Sequence, residues 1–64
     1  MKGETFKKYL NIRRIEKATQ LILSGEKITT VSDLCGYEYF STFYRNFVDI
    51  MGISPNEFKK INNV

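Results

Sequence analysis

The feature that most constrains the fold of this 64-residue chain is a glycine between two short amphipathic stretches. Gly36 separates residues 28–35 from residues 39–51, and both stretches carry apolar side chains at helical spacing. Glycine adopts the positive φ of a sharp turn, which residues with a Cβ resist. We therefore predict two helices that cross through a three- or four-residue turn, the arrangement called helix-turn-helix.

The flanking residues predict two further helices. A first helix is expected from residue 6 to about residue 24, with Thr5 as its N-cap and Gly25 as its stop signal. Its predicted core stripe consists of Phe6, Leu10, Ala18, Leu21 and Ile22. The segment Ser54-Pro55-Asn56-Glu57 is a capping box with proline at the first helical position, which predicts a last helix over residues 54–61. The predicted fold is all-α, one domain over residues 1–64 with four helices.

Within the glycine-turn pair, several residues are expected to be structural. Phe43 and Phe47 follow a core stripe, and Ser32 fills a slot where only a small side chain fits. Cys35 lies in an apolar pattern and is expected to be a buried small hydrophobe. The helix after the turn lacks a good cap at residue 39, so Ser41 is an alternative cap for a later start.

Composition excludes several classes of function. One cysteine cannot form an internal disulfide, and the absence of histidine excludes most hydrolytic triads and zinc sites. Paired carboxylates and phosphate loops are also lacking, so we expect no enzyme, no cofactor and no small-molecule ligand in this segment. No apolar run reaches the roughly 20 residues of a membrane span, and no signal-peptide core is present. A reducing cytoplasm is the simplest location.

The net charge of +3 is distributed unevenly. Residues 1–27 carry seven Lys and Arg side chains against three Glu, whereas residues 28–64 carry three against four acidic side chains. Positive potential therefore lies on the first helix and not on the glycine-turn pair. Basic helix faces attract phosphates, although the solvated face of an ordinary surface helix has the same composition.

A set of residues spread over almost the whole chain carries a family resemblance. The set comprises Tyr9-Leu10, Arg14-Ile15, Ala18, Leu21-Ile22, Gly36-Tyr37, Phe43, Arg45, Phe47, Gly52, Ser54-Pro55 and Phe58. With this spacing the chain resembles the AraC/XylS family of bacterial transcription regulators. The resemblance implies a DNA-binding region in which two helix-turn-helix units are joined by a linker helix, each recognition helix entering the major groove.

On that resemblance, residues 5–24 are the linker helix, residues 28–51 the second helix-turn-helix, and residues 54–61 a closing helix. The first helix-turn-helix and a regulatory domain are expected to belong to the parent protein. Met1-Lys2-Gly3 resembles the end of the preceding subdomain, which favours a fragment over a natural short protein. Three departures from the family pattern are Val48-Asp49 in place of lysines, Ser32 in place of Ala, and Phe58-Lys59 in place of Tyr-Arg.

The resemblance implies double-stranded DNA as the partner and assigns two groups of contacts. The residues expected at base edges or flanking sugars are Phe40, Ser41, Thr42 and Arg45. The residues expected at phosphates, as a set, are Lys7, Lys8, Arg13, Arg14 and Lys17. Three of these residues have an alternative interpretation. Arg45 would form a salt bridge with Asp49, Phe40 would be buried against the first helix, and Arg14 would be a structural tether.

A different class of function remains open. Tyr39, Phe40, Tyr44 and Val48 form an apolar surface on the helix after the turn. Exposed patches of this kind often mark interfaces. The alternative prediction is therefore a protein-interaction module that binds its own copy, RNA polymerase or another regulator, with little DNA affinity of its own.

Overall fold

A computed structural model describes the backbone of residues 2–64 and the side chains of residues 6–64. This part of the chain forms four helices and no strand. The helices are α1 (Lys2–Leu23), α2 (Ile28–Leu34), α3 (Phe40–Met51) and α4 (Pro55–Ile61). The predicted all-α class and four-helix order are confirmed.

Helix α1 begins earlier than the sequence predicted. Its first helical residue is Lys2, so Thr5 lies inside the helix and the prediction of Thr5 as N-cap is wrong. The helix ends at Leu23, where the Gly25 N–H donates to the Ile22 carbonyl at 3.0 Å and the Glu26 N–H donates to the Leu21 carbonyl at 3.2 Å. This bond pair is a Schellman motif, and the φ of +99° at Gly25 supplies its left-handed residue.

Helix α2 ends in the same way. Leu34 is its last residue, one before the predicted end, and Cys35 is its C-cap. The Gly36 N–H donates to the Asp33 carbonyl and the Tyr37 N–H to the Ser32 carbonyl, each at 3.1 Å. Gly36 has a φ of +89°, so the predicted glycine turn is a Schellman cap that redirects the chain towards α3.

Helices α3 and α4 start with different capping chemistry. Tyr39 is the N-cap of α3 and makes no side-chain capping bond, while Ser41 lies inside the helix, so the alternative start at Ser41 is wrong. At α4 the Ser54 Oγ accepts a hydrogen bond from the Glu57 N–H at 3.1 Å. The structure thus forms the serine half of the predicted capping box, with Pro55 as the first helical residue.

The core lies where α2 and α3 pack against the second half of α1. Its buried members are Ile15, Ala18, Ile22, Val31, Cys35, Tyr37, Phe43 and Phe47. Phe58 of α4 packs edge-on against Phe47 with 5.8 Å between ring centroids. Burial of Ser32, Cys35, Phe43 and Phe47 confirms their predicted structural roles.

The predicted core stripe of the first helix is wrong at its N-terminal end and confirmed at Ala18 and Ile22. Phe6 is 64% exposed and Leu10 is 36% exposed, because α1 has 22 residues and the core begins only at Ile15. A helix of that length measures roughly 33 Å, longer than α2 and α3 together can cover. Ile61 in the last turn of α4 is also exposed.

Candidate nucleic-acid interface

The outward face of α3 carries two of the predicted DNA-contacting side chains. Phe43 and Phe47 are fully buried and orient the helix, and Ser41 and Arg45 lie about half a turn away from them and are exposed. Arg45 is not within ion-pair distance of Asp49; among side chains 6–64 the ion pair is Arg13–Glu16 at 3.7 Å. The alternative reading of Arg45 as the partner of Asp49 is therefore wrong.

The other two predicted base contacts lie on opposite flanks of α3. Phe40 is 42% exposed, and its ring stacks on its own helix, 5.8 Å from the Phe43 ring and 6.3 Å from the Tyr44 ring. It is not buried against α1, as one alternative supposed. Thr42 is exposed on the flank nearer α1, where it lines a cleft together with Lys7.

That cleft lies between the first half of α1, the glycine turn and the beginning of α3. It has a volume of about 450 Å³. Lys7 and Arg14 line it from α1, and Thr42 and Asn46 line it from α3. A second cleft of about 570 Å³ lies further along the same two helices, with Lys8 on one side and Asp49 on the other. Cationic side chains of α1 therefore border the grooves that flank the polar side of α3.

Arg14 is held against the glycine turn. Its guanidinium carbon lies 5.4 Å from the centroid of the Tyr37 ring, in cation–π geometry. A Cβ added at Gly36 would meet guanidinium atoms of Arg14 at 3.8–3.9 Å. Arg14 is half-buried, and these contacts fit the alternative interpretation of Arg14 as a structural tether. Its side chain also lines the first cleft.

Arg13 and Lys17 of α1 have other intramolecular partners. The Lys17 Nζ donates to the Leu34 carbonyl at 3.5 Å, at the end of α2. Arg13 donates to the Tyr9 hydroxyl at 3.2 Å and also pairs with Glu16. All of the predicted phosphate contacts are exposed except Arg14. The five cations do not form one cluster: Lys7 and Arg14 share the first cleft, Lys8 lines the second, and Lys17 contacts α2.

Sequence reasoning missed a polar contact between α1 and α3. The Asn11 Oδ1 accepts a hydrogen bond from the Tyr37 hydroxyl at 3.2 Å and another from the Asn46 amide nitrogen at 3.5 Å. Neither asparagine belongs to a motif, and an asparagine within a helical pattern is normally read as a surface residue. The signal that was available is position, since Asn11 lies one turn before Ile15 and thus at the edge of the buried stripe.

Burial governs the two titratable groups beside the turn. It raises the pKa of the Cys35 thiol, against the opposing effects of the Lys17 and Arg14 charges. Burial likewise raises the pKa of the Tyr37 hydroxyl, against the weaker effects of the neighbouring Asn46 amide and of the Arg14 charge. Both groups therefore keep their protons at neutral pH, and the Tyr37 hydroxyl acts as a donor.

Comparison with known proteins places this geometry in a family. Residues 2–61 match the helix-turn-helix domain family, and the chain is 31% identical over 62 residues to the xylose operon regulatory protein of Escherichia coli K12. The chain belongs to the AraC-type helix-turn-helix family. The xylose operon regulatory proteins of E. coli strains O6:H1 and O157:H7 show the same identity over the same length. No solved structure gives a significant match.

The AraC-type match covers nearly all of this chain but little of its relatives. The alignments include 95% of this chain and 16% of each E. coli protein, so the chain spans about a sixth of their length. The family consists of helix-turn-helix DNA-binding domains of transcription regulators and is not enzymatic. No helix among residues 2–64 is long and apolar enough to cross a membrane, and side chains 6–64 contain no cluster of three or more potential metal ligands.

Proposed function

We propose that this chain binds DNA in a sequence-specific manner, with α3 in the major groove as the recognition helix of an AraC-type regulator. The observation that supports the proposal is that α3 has a buried apolar side and an exposed polar side. Phe43 and Phe47 are fully buried, while Ser41 and Arg45 project from the opposite side. The major groove of B-DNA admits an α-helix presented in this way.

The exposed side chains of α3 have different capacities for reading DNA. Arg45, with no ion pair among side chains 6–64, can donate two hydrogen bonds to a guanine edge or bind a phosphate. Ser41 and Thr42 can donate to bases or phosphates with low specificity. Phe40 offers an apolar face to a thymine methyl group. Most of the sequence preference is therefore assigned to Arg45.

The phosphates are assigned to the cations of α1, because α3 itself carries one cation and one anion. Lys7 and Lys8 are exposed at the two clefts beside α3 and are the best placed of the five. Arg13, Arg14 and Lys17 have intramolecular partners that binding to phosphate would have to share or replace. If about three phosphates are neutralised, the logarithm of affinity falls against the logarithm of salt concentration with a slope of roughly −3.

A fluorescence-anisotropy titration tests this assignment. The probes are a duplex selected from a randomised pool and a scrambled duplex, each at low and at physiological salt. Arg45→Ala should weaken binding to the selected duplex by about 1–3 kcal/mol and relax preference at one base pair, because a bidentate contact to guanine is lost. Lys60→Ala, an exposed cation of α4, is the charge-matched control and should leave that preference unchanged.

Two results would contradict the proposal. The first is the absence of binding to any duplex at low salt. The second is binding that is indifferent both to salt concentration and to Arg45→Ala.

The match to a sixth of the E. coli proteins extends the proposal to the parent protein. We infer that it carries another helix-turn-helix and a regulatory domain, and that it acts in the cytoplasm. Sequencing the gene upstream of Met1 tests this inference, since a further glycine-turn helix pair should be encoded there.

One observation favours a second candidate function, a protein-interaction module. Phe40, Tyr44, Val48 and Met51 form an apolar stripe along the α4 flank of α3, and each is 37–42% exposed. Tyr44 and Val48 of this stripe line a groove of about 590 Å³ beside α4. An exposed apolar stripe suits a second copy of the chain, RNA polymerase or another regulator. Sedimentation tests the self-association form, which predicts a dimer that Tyr44→Ala weakens; a strict monomer would contradict it.

A further inference from the structure

One side-chain oxygen connects three parts of the DNA-binding unit. The Asn11 Oδ1 on α1 accepts from the Tyr37 hydroxyl in the turn and from the Asn46 amide on α3, at 3.2 and 3.5 Å. We call these three residues the Asn11 bridge. Among side chains 6–64, no other hydrogen bond joins α1 to α3.

The donor in the turn is itself firmly placed. The Tyr37 ring is 6% exposed, lies 5.5 Å from the Phe43 ring, and is covered by the Arg14 guanidinium. Its hydroxyl therefore has a narrow choice of positions, and Asn11 is within reach of it. The hydrogen bond from Tyr37 thus holds the Asn11 Oδ1 in a fixed position, and the hydrogen bond from Asn46 to the same oxygen can therefore orient α3.

Asn46 lies on the part of α3 that matters for contact with DNA. It follows Arg45 directly and comes one turn after Thr42. It also lies where the two clefts between α1 and α3 meet, since Asn11 and Asn46 line both of them. The bridge is the polar contact that spans an otherwise open groove.

Apolar packing fixes which side of α3 faces the core, and a directional hydrogen bond can fix its rotation more finely. Burial of Phe43 and Phe47 is favourable in any orientation that keeps the rings out of water, whereas a hydrogen bond weakens steeply with misalignment. A rotation of about 10° moves a side-chain tip roughly 1 Å from its place, given a helix radius of roughly 5 Å. Recognition geometry tolerates only about 0.5 Å.

We propose that Asn11 is a positioning residue for DNA recognition: through Tyr37 and Asn46 it sets the rotation of α3 about its axis, and so the direction of Ser41, Thr42 and Arg45. The inference rests on the proposed function. It assigns a share of the sequence preference to a residue outside the group that is proposed to contact the bases. Loss of the bridge should therefore reduce discrimination between DNA sequences more than it reduces binding to DNA in general.

Three substitutions separate this role from simple stabilisation. Asn11→Leu keeps the size of the side chain and removes the acceptor. Asn11→Asp keeps an acceptor oxygen and adds a negative charge. Tyr37→Phe keeps the buried ring and removes one donor. Gln20→Leu is the matched control, because it removes an exposed amide from the same helix.

The measurement is the ratio of the dissociation constants for the scrambled and the selected duplex. It is taken by fluorescence anisotropy at a temperature where circular dichroism shows each variant to be folded. Asn11→Leu should lower this ratio about five- to tenfold, the equivalent of one hydrogen bond, while affinity for the scrambled duplex and its salt slope stay the same. Tyr37→Phe should lower the ratio less, and Gln20→Leu should not change it.

Asn11→Asp provides the decisive comparison. Its added charge should weaken binding to both duplexes by a similar factor, so that the ratio stays within about twofold of that of the unaltered chain. If Asn11→Leu does not fold, the comparison of Tyr37→Phe with Asn11→Asp serves in its place.

The inference is overturned if Asn11→Leu and Tyr37→Phe leave the ratio unchanged, or if Asn11→Asp lowers it as much as Asn11→Leu does. If the unaltered chain prefers no duplex over the scrambled one, the proposed function fails, and this inference fails with it.

Discussion

At the scale of single residues, the turn combines a backbone requirement with a side-chain contact. Gly36 has a φ of +89°, and the Arg14 guanidinium lies beside Gly36 and over the Tyr37 ring. The two effects are separable, because a Cβ at Gly36 would meet Arg14 only at ordinary van der Waals distance. Backbone strain, and not steric exclusion, is therefore the reason for glycine at this position.

This explanation predicts the cost of alanine at the turn. Gly36→Ala should lower the free energy of unfolding by about 1–2 kcal/mol, the strain of a left-handed residue with a Cβ. Gly25→Ala should cost about the same, since its φ is +99° and nothing lies within 4 Å of its added Cβ. Urea denaturation followed by circular dichroism measures both. A much larger loss at Gly36 than at Gly25 would show that contact with Arg14 also matters.

Single residues also show how much of the candidate site can be predicted from the sequence. The outward direction of Arg45 can be predicted from the sequence, because helical periodicity places it opposite the apolar pair Phe43 and Phe47. The contact of Arg14 with Tyr37 and the role of Asn11 depend on how α1 crosses the turn. Crossing geometry is a tertiary property, and no spacing along one helix encodes it.

At the scale of elements, the sequence predicts helix ends well where a glycine or a capping serine marks them and less well elsewhere. Gly25, Gly36 and Ser54 each mark a helix end within two residues of the predicted one. The start of α3 lacks a side-chain cap of this kind, and the predicted caps Thr5 and Ser41 both lie inside helices. A serine or threonine in a helical pattern is thus a weak start signal without a proline or a capping partner.

The capping assignment can be tested on matched serines. Ser54→Ala should lower the free energy of unfolding by about 1 kcal/mol, because the Glu57 N–H loses its acceptor. Ser41→Ala, at an exposed helical position, should change it by less than about 0.5 kcal/mol and in the stabilising direction, since alanine is the better helix former. Thermal or urea unfolding distinguishes them. Equal effects at the two positions would contradict the assigned cap.

At the scale of the whole molecule, one small core supports all four helices, and it contains two groups whose pKa burial raises. The folded chain holds the protons of Cys35 and Tyr37 more tightly than the unfolded chain does. Their contribution to stability is fully present below the ordinary pKa values of the two groups. It is lost as pH rises through those values towards the raised ones.

We therefore expect the free energy of unfolding to fall above about pH 9, where unfolded cysteine and tyrosine begin to ionise. Urea unfolding across an alkaline pH series measures the decline. Tyr37→Phe combined with Cys35→Ala should flatten it, whereas Tyr44→Phe, which removes an exposed hydroxyl, should not. A decline of the same slope in all three proteins would assign the effect to other groups.

The length of α1 relative to the core has a consequence for how the molecule opens. Side chains 6–10 are all exposed, whereas Ile15, Ala18 and Ile22 are fully buried. Short helices without tertiary contacts are marginal in water, so amide protection in α1 should follow a gradient. Amides around Ile15 should exchange only through global unfolding, whereas amides of residues 6–10 should exchange through local fraying of the helix. The free energy of opening therefore differs between the two halves of one continuous helix. A partner that binds near residues 6–10 would make the first half unfold together with the core.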